Sequence, residues 1–246
     1  MLGSAGTWPP AGGATCGYLV EHEGAIIWLD AGTGTFANLQ EHIEVGDLDA
    51  IMITHGHPDH FVDVVPAFYA RHYGGMGEPG LPFYSPEGFT NLLSLLVSED
   101  GRDVMGQAYA FTTLHDGDRI QIGPFAVRAF EMAHVGVSAL GYRIEAGGVV
   151  LAYTGDTGPS DTVVELARNA DVLLAEASYQ DASNLLPFHL SARQAAEHAK
   201  AAGAGRLLLT HILPTLDPAV SLAEARAAFD GSVEIAEQGM ITGIGR

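Results

Sequence analysis

The 246-residue chain reads as an α/β protein in which β-sheet layers are covered by helices on their outer sides. Three observations predict this class. Short apolar strand runs dominate the first half, and residues 109–154 are strand-like again. Beyond residue 155, helix and strand patterns alternate. An apolar share of 47% with 8% aromatic is ordinary globular composition. A chain of this length buries roughly 70–75% of its unfolded surface without needing disulfides. With no repeat, low-complexity tract or linker, residues 1–246 are expected to form one domain.

Residues 15–22 and 25–29 are two strands around the turn at Glu23-Gly24, and 35–43 is a short helix. Residues 50–54 form a buried strand, and 60–72 a helix. The Gly- and Pro-rich stretch 74–82 is loop. Residues 86–97 carry a helical pattern in Phe89, Leu92, Leu93, Leu96 and Val97. Within the strand-rich stretch, turns fall near Asp116-Gly117 and Gly147-Gly148. Then come helix 160–168, strand 171–176, helix 191–203, strand 205–210 and helix 218–229. Ser191 with Gln194 forms a capping box. Asp217 before Pro218 marks the last helix start.

The formal charge of −19 disfavours long nucleic acid, whose binding depends on Lys and Arg releasing counterions. Lys200 is the only lysine, and nine acids precede the first basic residue, Arg71. No secretory leader is expected, because its basic and apolar regions are absent. No apolar run approaches the ~18–20 residues of a membrane span. With Cys16 alone, neither a disulfide framework nor a cysteine zinc cluster is available. The reading is a soluble, cytoplasmic protein.

The chemistry is concentrated in Thr54-His55-Gly56-His57-Pro58-Asp59-His60, directly after a buried strand. Imidazole and carboxylate are ligands that zinc-like divalent ions prefer. The spacing forbids one helix or strand face, so a turn must gather these donors. Further donors stand at strand ends: His134 after 127–133, Asp156 after 149–155, and His211 after 207–210. Read alone, each is an ordinary polar residue at a strand end; beside HxHxDH, each becomes a candidate ligand.

These motifs resemble the metallo-β-lactamase superfamily over nearly the whole chain. The resemblance implies a four-layer αββα sandwich, the metallo-β-lactamase fold, with a binuclear site at one edge of the paired sheets. It implies that His55, His57 and His134 hold one metal and that Asp59, His60 and His211 hold the other, with Asp156 bridging. Two divalent ions are implied, zinc first, with manganese or iron compatible. The β-lactamases proper often place Cys at the bridging position, where this chain has Asp156. Flavodiiron-type sites tend to have Glu where His57 stands.

Glu176-Ala177-Ser178 and His189-Leu190-Ser191 resemble elements of ribonuclease Z-like phosphodiesterases, in which the Glu orients the His beside the leaving oxygen. A carboxylate bonded to imidazole raises its basicity and fixes its tautomer. Three departures accompany the likeness. Ala175 stands where those enzymes usually carry His. No segment has the length or basicity of their transfer-RNA-gripping arm. Family members usually open with a strand before the segment beginning Leu2-Gly3-Ser4, so either that strand is missing, leaving an exposed edge, or the start lies upstream.

The expected activity is hydrolysis of a small anionic phosphodiester such as a cyclic nucleotide, by metal-bound hydroxide attacking phosphorus. Asp59, Glu176 and His189 are the expected catalytic residues, with Asp59 also accepting a proton. Two divalent ions against Asp59, Asp156 and the hydroxide leave about +1 locally, enough to attract one phosphodiester. The alternatives are ribonuclease Z-type tRNA 3′ processing, lactone or thioester hydrolysis at the same metals, and a non-catalytic metal-binding protein. The resemblance also implies a homodimer. His22, His42, His72, His115 and His198 read as surface residues. Phe68, Tyr69, Tyr73, Phe83 and Tyr84 read as core packing, and Arg71 is the nearest basic residue to the metal motif.

Overall fold

A computed structural model describes residues 1–98, 100–181 and 186–245. Strands β1 (Gly17–His22) and β2 (Ala25–Ala31) form a hairpin. Strands β3 (Ala50–Met52), β4 (Leu81–Pro86) and β5 (Tyr109–Leu114) follow β2 in parallel, giving a sheet ordered β1-β2-β3-β4-β5. The second sheet contains β6 (Arg119–Ile122), β7 (Phe125–Glu131), β8 (Leu140–Ala146) and β9 (Val149–Tyr153). It is completed by β10 (Val172–Glu176), β11 (Arg206–Thr210) and β12 (Ser232–Ile235), in the order β12-β11-β10-β9-β8-β7-β6. Strands β6 to β9 are antiparallel, whereas β9 to β12 are parallel.

Strand periodicity explains the layering. Every residue of β2 is buried, the signature of a strand covered on both faces. Ile27 and Leu29 pack with Val127, Ile144, Leu151 and Leu174 between the sheets. Trp28, on the opposite face, packs with Leu39, Phe61, Phe68 and Leu93 from the helices outside the first sheet. On the other side, Leu173, Ala175, Leu207 and Leu209 meet Val163, Ala195, Ala199 and Ala225 from helices outside the second sheet. The result is the αββα sandwich implied by the resemblance.

The first sheet's outer helices include α1 (Thr35–Leu39), α2 (Pro58–Phe61), α3 (Val64–His72) and α4 (Phe89–Leu95). A short α5 (Gly101–Met105) follows, then α6 (Asp161–Leu166), α7 (Ala192–Ala202) and α8 (Pro218–Ala228) on the second sheet's side. The Ser191 capping box is present, and Asp217 caps α8 through the Ala219 N–H. The expected helix 60–72 is two helices. Asp63 interrupts it because its carboxylate accepts from the Phe36 N–H while its own N–H binds the Ala31 carbonyl. The expected helix 35–43 stops at Leu39, and the helix expected from residue 86 begins at Phe89. Strand β4 starts inside the expected loop 74–82, with Pro82 and Pro86 hiding its pattern. Helix α5 and strand β12 are additional elements.

Leu2–Ala5 reaches across both sheets: Gly3 bridges Gly17, while Ala5 bridges Thr15 and Ile212. The Gly3 bridge covers only the start of the outer edge of β1. Among the described residues, no helix is long and apolar enough to cross a membrane. Phe68 and Phe83 are core residues as expected, but Tyr69 and Tyr73 are exposed. Arg71 is buried and donates to the Val45 and Glu78 carbonyls, so it braces its loop rather than reaching the motif.

Candidate metal centre

The site lies where one edge of the two sheets opens at the ends of β2, β3, β7, β9, β10 and β11. Loops at the carboxyl ends of parallel strands are where open α/β sheets place ligands. After β3, the Thr54 N–H and Oγ1 donate to Asp30 at 2.7 and 2.9 Å, turning the chain out of the core. Pro58 then opens α2, whose single turn carries Asp59 and His60 back toward the strand ends. Leu92 Cδ2 covers Gly56 between the histidines, 2.9 Å from where a Cβ would lie, so a larger residue there would make the exposed Leu92 side chain turn aside.

Two groups of donors converge. In one, His57 Nδ1 lies 3.1 Å from both His55 Nε2 and His134 Nε2, and His55 Nε2 is 3.7 Å from Asp156 Oδ2. In the other, His211 Nε2 lies 3.1 Å from Asp59 Oδ2 and 3.4 Å from Asp156 Oδ1. His60 Nε2 is 3.7 Å from Asp59 Oδ2 and 3.2 Å from Asp156 Oδ1. The two oxygens of Asp156 thus face different groups. All seven expected ligands meet here.

The partners behind the rings aim the lone pairs inward. Thr54 spends its hydroxyl proton on Asp30, so it accepts from His55 Nδ1 at 3.1 Å. His134 Nδ1 donates to the Phe188 carbonyl at 3.0 Å. His60 Nδ1 donates to Asp30 Oδ2 at 2.8 Å, and His211 Nδ1 donates to Ser178 Oγ at 2.8 Å. In each case Nε2 is left toward the cluster, the arrangement that fixes metal-binding imidazoles.

The residues fit divalent cations. Nitrogens at the 2.0–2.1 Å zinc distance in tetrahedral geometry are about 3.3 Å apart, close to the spacing in the first group. His60 Nε2 and Asp156 Oδ1 are buried without a hydrogen-bond partner; they are near each other but out of line for a bond. Such orphans cost free energy unless something else bonds to them. Burial holds the His55 imidazole well below its ordinary pKa and also lowers His57, keeping both neutral as ligands must be. Burial also opposes charge on His60 and His211, but Asp156 and Asp59 outweigh it and raise both. Burial would raise Asp156, yet His211 and His60 hold it well below the carboxylate range. Asp59 is likewise depressed, with His60 and then His211 overcoming burial.

Glu176 and His189 do meet: Glu176 Oε1 accepts from His189 Nδ1 at 2.9 Å. The same carboxylate, almost wholly buried, accepts from the Thr157 N–H and Ser178 Oγ, both at 2.7 Å. Glu176 is therefore held by β10 and its neighbours while it aims His189. His189 Nδ1 is 3.8 Å from Asp156 Oδ2, and its ring stacks on His211. Burial lowers the His189 pKa, but the hydrogen bond and charge of Glu176 raise it overall.

Asp30, Ser178 and Cys16 are functional neighbours that the motifs do not announce. Asp30 is buried and, like His211, adopts a left-handed backbone conformation, with φ of 55° and 56° respectively. Non-glycine residues rarely adopt it, and such strain clusters at functional sites. Cys16 Sγ lies within 4.8 Å of His60 and His211 ring nitrogens, while burial pushes its thiol pKa up to about 12. The signal for Asp30 was a lone acid ending an apolar strand, too common to interpret alone.

Fold and site together define a metallo-hydrolase, and the chain belongs to the β-lactamase superfamily: residues 26–212 match the beta-lactamase superfamily domain. It is 30% identical over 246 residues to YhfI of Bacillus subtilis (strain 168), described as a probable metallo-hydrolase, covering 98% of this chain and 97% of that one. The crystal structure of the metallo-beta-lactamase fold protein YhfI from Bacillus subtilis matches with a TM-score of 0.87 at 27% identity, over 97% and 95% of the two chains. Ribonuclease Z of Methanopyrus kandleri is 27% identical over 285 residues, covering 100% of this chain and 97% of the relative. Human tRNase Z, short form, shares the fold with a TM-score of 0.78 at 23% identity, over 100% and 98% of the chains.

Proposed function

We propose that the protein is a two-metal phosphodiesterase acting on a small phosphodiester such as a cyclic nucleotide. His55, His57 and His134 would hold one cation, Asp59, His60 and His211 the other, with Asp156 between them. Zinc is the preferred ion for this donor set. Bound there, divalent cations supply Lewis acidity and make water nucleophilic near neutral pH.

The chain's own residues supply the rest. Glu176 fixes His189 with Nδ1–H toward the carboxylate, which leaves Nε2 to hold the proton delivered to the leaving oxygen. Ser178 links Glu176 to His211, so the acid and one ligand are positioned through a single carboxylate. Asp59 also accepts a proton as water attacks phosphorus. The observation that carries the reading is the 2.9 Å His189–Glu176 bond beside Asp156. Ester hydrolysis that does not protonate an alkoxide leaving group has no need for that pair.

The test compares metal-loaded wild type with His189→Ala. Substrates are bis-p-nitrophenyl phosphate, cyclic AMP, 2′,3′-cyclic nucleotides, a tRNA precursor, a lactone and a thioester. Turnover of the cyclic nucleotides, which expel an alkoxide, should fall at least ~100-fold in the variant, the low end for general acid–base catalysis, while bis-p-nitrophenyl phosphate, whose p-nitrophenolate needs little protonation, should fall less. Lactone or thioester turnover that ignores the substitution, with the diesters inert, would overturn the assignment. Exclusive turnover of the tRNA precursor would replace it with 3′ processing. Metal binding without turnover of any substrate would leave the non-catalytic reading.

A further inference from the structure

We propose that Trp8 is a stacking platform at the mouth of the metal centre. It binds the planar, uncharged part of the substrate, so the preferred substrate is a monoanionic phosphodiester carrying an aromatic ring such as a nucleobase. This rests on the phosphodiesterase reading above. The first observation is strain. Thr7 has a φ of 60°, a conformation that is a genuine outlier for a β-branched residue. Its N–H donates to Asp59 Oδ2 at 3.0 Å. Gly6 lies against the His211 backbone, where a Cβ would meet the His211 carbonyl oxygen at 2.4 Å, and its N–H donates to the Ile212 carbonyl. The segment before Trp8 is thus pinned between two site residues. Pro9 and Pro10 fix the backbone directly after it. The strained mount displays an indole that is 43% exposed.

The second observation is what surrounds the opening. Val135, beside His134, is 61% exposed. Leu92 is partly exposed and covers Gly56 between His55 and His57. Leu186 is exposed, and its carbonyl accepts from the His189 N–H. Exposed apolar side chains therefore flank the site on several sides. Four basic side chains are engaged in ion pairs: Arg193 with Asp181, Arg143 with Glu145, Lys200 with Asp230 and Arg206 with Glu234. A rim of this kind recognises an apolar surface rather than further phosphates. Aromatic stacking is tolerant of base identity, because every base has a π-face. The enzyme should accept different bases while discriminating against diesters that have none.

The experiment uses metal-loaded wild type, Trp8→Ala and Trp8→Phe with two diesters that share a p-nitrophenolate leaving group. These are bis-p-nitrophenyl phosphate and methyl p-nitrophenyl phosphate. Wild type and Trp8→Phe should prefer the aryl diester, and Trp8→Ala should lose about 10- to 100-fold of that preference, the range stacking supplies, mainly through KM. An unchanged preference in Trp8→Ala would overturn the platform. A binding readout separates this from the catalytic reading. Trp8 and Trp28 are the only tryptophans, and Trp28 is fully buried. Adenosine, which has no phosphate, should saturably quench wild-type emission and leave Trp8→Phe unchanged. Quenching without turnover of either diester would retain the platform and overturn the phosphodiesterase reading. Diester turnover without quenching, and with the same preference in all three proteins, would do the reverse.

Discussion

Asp30 accepts from four donors at once: the Thr54 N–H and hydroxyl, His60 Nδ1 and the Tyr153 hydroxyl. One buried carboxylate thereby orients His60 directly and His55 through Thr54. The concentration of acids around these rings has a measurable consequence for the metal-free protein. His60, His189 and His211 are raised above their ordinary values because nearby carboxylates overcome burial. A raised folded pKa contributes stability that is complete below the unfolded value of about 6.5 and lost as pH climbs through the folded value. His55 and His57, lowered by burial, work in the opposite sense but only below about 6.5. Above that pH the sign is therefore unopposed among these five rings. The Tm of chelator-treated protein should fall as pH rises above about 6.5, each such ring contributing up to about 1.4 kcal/mol per pH unit until its raised folded value is passed. A divalent cation competes with protons for the same nitrogens, so its stabilisation should widen over this range. Thermal scans with EDTA and with zinc measure both; a metal-free Tm that rises would mean the rings carry no extra proton.

At the scale of elements, the site depends on loops being held against one another, and the 187–189 segment carries two of its constraints. The Phe188 carbonyl fixes the His134 tautomer, and the next residue is His189. Gly158 supports this segment: a Cβ there would lie 1.9 Å from the Pro187 carbonyl oxygen, while the Gly158 N–H holds the Ala133 carbonyl at 2.7 Å. Gly158→Ala should therefore displace His189 and His134 together. A shift of about 1 Å can cost about 100-fold in rate, so kcat should fall by that order while the Tm changes modestly. Kinetics with circular dichroism separate this from unfolding, and wild-type kcat in the variant would show that the loop absorbs the methyl group. The same reasoning explains what the sequence made legible. His55, His57, Asp59 and His60 lie within six residues, so their spacing carries the message locally. His134, Asp156, Glu176 and His211 could be read because each follows a recognisable apolar strand. Asp30 and Ser178 act on residues 30 and 33 positions away, His60 and His211 respectively, and become visible only when the sheets are packed. Strand β4 was hidden by prolines.

At the scale of the whole molecule, the phosphodiesterase reading requires a chain with a charge of −19 to admit an anion at one mouth. Several of its few cations are already committed. Arg71 is buried against carbonyls, and Arg143, Arg193, Lys200 and Arg206 are paired with acids. Binding a polyanion would require free cations that release counterions, and its affinity would fall steeply with salt, with a logarithmic slope near −0.9 per phosphate neutralised. A small monoanion needs none of this. On the proposed reading it would be repelled at long range by the net charge and held at short range by the site and its apolar rim. Salt screens the long-range repulsion over about 8–10 Å but leaves buried contacts nearly unaffected. The kcat/KM for cyclic AMP and bis-p-nitrophenyl phosphate should therefore stay flat or rise slightly between about 50 and about 200 mM NaCl, where a polyanion-binding enzyme loses orders of magnitude. Measuring both substrates at fixed zinc keeps metal occupancy out of the comparison. A steep fall for both would mean that cations do grip the substrate, and would shift the assignment toward the longer RNA substrates that a ribonuclease Z-type reading requires.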